Sequence, residues 1–75
     1  MGVMKRYEVV CEAYNTCSPK PLISVDEVET EDMESYIRQV IPPNSTYERT
    51  VNLEGDTVYE VNSDRLRKVY IFTEI

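Results

Sequence analysis

The sequence predicts an α+β fold of order ββαβββ, a mostly antiparallel sheet of four or five strands with one helix packed on one face. Three observations carry this: β-like runs near both ends of the chain, one apolar stripe of helical spacing between residues 33 and 41, and a glycine-centred turn at Glu54-Gly55-Asp56. With 75 residues there is room for a single small domain, taken here as 1–75.

Residues Tyr7 to Tyr14 alternate, with Tyr7, Val9, Cys11 and Ala13 on one side and Glu8, Val10, Glu12 and Tyr14 on the other. That is a strand of period two. Pro19 and Pro21 make 15–21 a loop. Leu22, Ile23 and Val25 begin a second strand that fades near Val28.

Thr30 reads as a helix N-cap, followed by Glu31, Asp32 and Glu34 in a first turn that favours carboxylates. Met33, Tyr36, Ile37, Val40 and Ile41 form the buried stripe, and Pro42-Pro43 ends the helix. Thr46 to Leu53 reads as a third strand, with Tyr47, Val51 and Leu53 facing one way. Gly55 supplies the positive φ of a hairpin turn, and Thr57 to Val61 is the return strand. Asn62-Ser63-Asp64 opens another turn. Lys68 to Glu74 is apolar on both faces, Val69 and Ile71 against Tyr70 and Phe72, as central strands often are.

Area scaling gives a chain of this size roughly 4,800 Å² of folded surface, about 60% of the unfolded area being hidden. A helix of about eleven residues spans roughly 16 Å and covers one sheet face only. The other face is then expected to expose apolar side chains, drawn from Val10, Tyr70, Phe72 and Tyr14. Val10, Tyr70 and Phe72 are therefore the candidates for self-association, most simply as a symmetric homodimer.

Fourteen acids against eight bases give a net charge of −6. Asp26, Glu27, Glu29, Glu31, Asp32 and Glu34 lie within nine residues that contain no base, and the remainder of the chain is neutral. A local excess of this kind makes a directional field. It disfavours direct nucleic-acid binding, which needs a basic stripe; Lys5 with Arg6, and Arg65 with Arg67 and Lys68, are too small as groups to outweigh it. Capping chemistry explains Glu31, Asp32 and Glu34, but not Asp26, Glu27 and Glu29, which precede the cap. All six are candidates for contact with a basic protein partner, with mimicry of nucleic-acid phosphates by an inhibitor of a phage or mobile element as one form of that contact.

Other chemistry finds little support. The chain has no His, which removes Ser-His-Asp and Cys-His catalysis. Cys11 and Cys17 fit neither a zinc site nor a Cys-x-x-Cys redox pair, and read as plain thiols, one in the core and one in a loop. An EF-hand register starting at Asp26 fails at Val28, Thr30 and Glu31. Asn44-Ser45-Thr46 matches a glycosylation acceptor, a triplet that often arises by chance. No membrane span or signal peptide is visible.

The expectation is a non-catalytic, cytoplasmic interaction module without cofactor or metal. It would self-associate through a sheet face or edge and meet a basic partner through 26–34. The alternative from another class is a small accessory subunit that binds a divalent metal or small ligand within a larger enzyme.

Overall fold

A computed structural model describes residues 3–15, 19–63 and 66–75. The elements follow the expected order: β1 (Lys5–Asn15), β2 (Leu22–Thr30), α1 (Met33–Val40), β3 (Thr46–Val51), β4 (Thr57–Asn62) and β5 (Leu66–Glu74). The strands make one five-stranded sheet in the spatial order β2-β1-β5-β4-β3, every neighbouring pair antiparallel. The doubly apolar β5 takes the centre, and α1 carries the chain from one edge strand to the other.

Residues directly opposite in an antiparallel ladder share a face. Val9 lies opposite Phe72, Cys11 opposite Tyr70, and Tyr70 opposite Tyr59. These residues build the face that α1 covers. Ile37, fully buried, drops from the helix onto Tyr7, Val9, Tyr59, Val61, Tyr70 and Phe72, with Met33, Tyr36 and Ile41 packed around it. The Phe72 ring meets Tyr7, Tyr36 and Tyr59 edge-on at centroid distances of 5.9, 5.8 and 5.6 Å, the favoured geometry for aromatic pairs.

Several boundaries differ from the sequence reading. β2 continues to Thr30, so Thr30 cannot cap the helix; Asp32 does, its Oδ1 accepting the Glu34 N–H at 3.1 Å. Thr30 instead folds the strand end into the cap, its hydroxyl donating to the Asp32 carbonyl at 3.0 Å. Only Glu34 of the acids lies inside the helix, and Val40, assigned to the stripe, lies outside the core with 39% of its surface exposed. β3 stops at Val51 because Asn52 closes the turn: its Oδ1 accepts from the Glu54 and Asp56 N–H groups at 3.0 and 2.9 Å. Leu53 is thereby turned fully to solvent, and Val51 is exposed. Gly55 has the expected positive φ, 89°.

Tyr70 and Phe72 require a correction as surface candidates. They are only 6% and 2% exposed, because β5 turns its aromatic side, not its aliphatic side, toward α1. Cys11 is a half-buried thiol beside this core. Cys17, Asp64 and Arg65 lie outside the described residues. No helix among the described residues is long and apolar enough to cross a membrane.

Candidate functional site

The sheet face away from α1 follows from the same registers, shifted by one residue. Val25 lies opposite Val10, Val10 opposite Ile71, and Ile71 opposite Val58. This aliphatic row crosses four strands, about 14 Å at the usual strand spacing. Val10, Ile71 and Val58 are half-buried and Val25 is exposed, while Val69 and Ile23 extend the apolar surface along their strands. The molecule exposes 5631 Å² in all, above the roughly 4,800 Å² that its size predicts.

Glutamates flank the row. Glu8 and Glu27 face each other on one side, and Glu48 and Glu60 face each other on the other, beside Glu12. Glu29 lies one pair further out, opposite Arg6. Six glutamates therefore share this face with two arginines, Arg6 and Arg67, a net charge of −4. Each arginine is already engaged: Arg6 pairs with Glu27 at 2.6 Å, and Arg67 with Glu60 at 3.1 Å while its guanidinium stacks over Tyr14. Among the described residues no ion pair reaches Glu8, Glu12, Glu29 or Glu48.

The β3–β4 turn walls one end of the face. A hollow of about 530 Å³ opens there, floored by Val10, Ile71 and Thr73 and bordered by Leu53, Glu54 and Asp56. Its floor is mainly apolar, and Glu54 and Asp56 make its rim acidic.

The acidic segment 26–34 does not form one patch. Glu27 and Glu29 point to the open face, whereas Asp26 lies opposite Val9 on the side of α1. Glu31 sits in the link before the helix and Asp32 caps it. Glu34 is used internally, its Oε1 accepting from Tyr47 Oη at 2.8 Å and pairing with Arg38 at 3.4 Å. Sequence reasoning missed Glu8, Glu12, Glu48 and Glu60 as partners of Glu27 and Glu29. The alternation of β1 had already set Glu8 and Glu12 opposite the core side, and that was the available signal.

Among the described residues, the tyrosines with perturbed titration lie on the covered side. Burial raises the Tyr36 phenol, with a further push from the Asp26 carboxylate, and burial likewise raises Tyr59. Tyr70 is pushed up to about 12 by burial first and by the adjoining Cys11 second. Among the described residues no three His, Cys, Asp or Glu side chains come together as a metal-binding group. A second hollow of about 340 Å³ beside Lys5, Tyr7 and Met33 brings only Asp56 and Glu74 as carboxylates. Comparison with family models, curated proteins and solved structures finds no match to this chain.

Proposed function

We propose that the protein is a non-catalytic interaction module whose working surface is the open sheet face. One observation carries this reading. The aliphatic row Val25, Val10, Ile71 and Val58 is continuous across four strands, and among the described residues no helix covers it as α1 covers the other side. Contiguous apolar surface on a small domain commonly marks a contact with another macromolecule. A cytoplasmic setting goes with the proposal, and the free thiol of Cys11 suits a reducing compartment. Of the original self-association candidates, Val10 alone belongs to this surface.

Photo-cross-linking in the source cells tests the reading. A cross-linking residue placed at Val10 or Val58 should trap one and the same protein, and one placed at Gln39, exposed on the helix that covers the opposite face, should not. Loss of that product in an Ile71→Ser background that keeps its native circular dichroism supports the module. Equal trapping from Gln39, or none from either sheet position, defeats it.

A further inference from the structure

The charge around the row identifies the occupant, given that the open face is a docking surface at all. We infer that this face takes a cationic amphipathic helix of a partner protein, its aliphatic side chains on Val10 and Ile71 and its lysines or arginines among the flanking glutamates.

Three observations lead there. First, Glu8–Glu27 and Glu48–Glu60 are like-charge pairs directly across the ladder, an arrangement that destabilises a sheet. Arg6 and Arg67 each reach one member of a pair and leave Glu8 and Glu48 without an ion pair among the described residues. Cations from outside would relieve both. Second, the glutamates stand one residue pair to either side of the row, about 7 Å along the strands. Lysine and arginine stems lying along apolar surface reach that far with their charged ends in water. A helix with an aliphatic stripe and basic flanks therefore matches floor and rim together. Third, Leu53 and the acids Glu54 and Asp56 border the hollow over Val10 and Ile71 on its Thr73 side, which adds an apolar wall and further negative charge at the middle of the row.

The same charges speak against the other occupants. A second copy docked face to face would set −4 against −4, and like-charge juxtaposition costs several kcal/mol. A nucleic acid or an anionic membrane would be repelled as well.

The test measures fluorescence anisotropy with a labelled Lys/Leu amphipathic peptide of about 18 residues, long enough to hold a helix. Its controls are the Glu/Leu counterpart and a Lys/Leu scramble that scatters the leucines around the helix. The Lys/Leu peptide should bind the full chain, weaken with salt, and bind at least about tenfold more tightly than either control. A triple variant Glu8→Gln, Glu12→Gln, Glu48→Gln should lose about tenfold in affinity. A triple variant outside the open-face glutamates, Asp26→Asn, Glu31→Gln, Glu74→Gln, removes the same charge and should lose less than about threefold. Equal losses in the two triples, or equal binding of the scramble, would overturn the inference, since attraction would then be non-specific. A dimer in sedimentation that Ile71→Ser dissolves would also overturn it, in favour of a second copy. If the cross-linked partner is lost with Ile71→Ser yet binds the open-face triple unchanged at every salt concentration, the module stands and the cationic helix falls.

Discussion

Tyr47 on β3 donates a 2.8 Å hydrogen bond to Glu34 on α1, joining the helix to the edge strand at the far end of its crossover. Arg38, one helical turn after Glu34, closes the group at 3.4 Å from both partners. Glu34 is thus an internal anchor. Glu34→Ala should cost about 1 kcal/mol in urea denaturation, with Glu34→Gln losing less because an acceptor oxygen remains. Neither change should alter binding at the open face, and a clear loss there with the fold intact would return Glu34 to the contact surface.

Ile37 and Ile71 lie on opposite sides of the sheet, and their truncation should separate the two faces. Ile37→Ala removes the fully buried helix anchor and should cost about 3 kcal/mol. Ile71→Ser, at a half-buried position on the open face, should cost about 1 kcal/mol. Equal losses in denaturant midpoints would mean that the open face is covered in solution.

That contrast also marks how far the sequence was legible. The order of elements, the helix stripe apart from Val40, and the Gly55 turn follow from local patterns, and the structure has them. Alternation separated Tyr70 and Phe72 from Val69 and Ile71, but both pairs are apolar, so period alone could not say which meets the helix. The β1–β5 register decides it by setting Phe72 opposite Val9 and Ile71 opposite Val10. The acidic surface was hidden for the same reason. Glu48 and Glu60 are twelve residues apart in sequence and join through the β3–β4 ladder, while contiguous Asp26 and Glu27 part to opposite faces.

The helix start offers a local check. Asp32 accepts from the Glu34 N–H at 3.1 Å and from the Ser35 hydroxyl at 3.2 Å. Asp32→Ala should cost about 1 kcal/mol, whereas Asp32→Asn should be nearly neutral, since asparagine caps comparably. Thr30→Ala should cost less than Asp32→Ala in the same thermal melts. The reverse order would restore Thr30 as the cap.

Alkaline pH should unfold the domain through its core tyrosines. Tyr70 titrates near 12 in the folded chain, against about 10 for an exposed phenol, and Tyr36 and Tyr59 are displaced in the same direction. The unfolded chain therefore loses these protons first. Their contribution is fully present below about pH 10 and is lost as pH rises toward about 12. Denaturation monitored across that window should show falling stability, with a shallower fall in Tyr70→Phe. A flat profile would mean that Tyr70 is accessible to water.

Glu48 presents the sharpest opposition between stability and binding. It faces Glu60 across the β3–β4 ladder, and Arg67 reaches Glu60 alone. Glu48→Lys converts a repulsive cross-strand pair into an attractive one and should raise stability by about 0.5 kcal/mol. Glu8→Lys, opposite Glu27, should act in the same direction. If the open face receives a cationic helix, both stabilising changes should weaken the Lys/Leu peptide more than the corresponding Gln variants do, because each replaces a favourable contact with a repelling one. Stabilisation without weaker binding would leave these pairs as a fault in the sheet with no bearing on a partner. Paired urea and anisotropy titrations on the four single variants decide between the two.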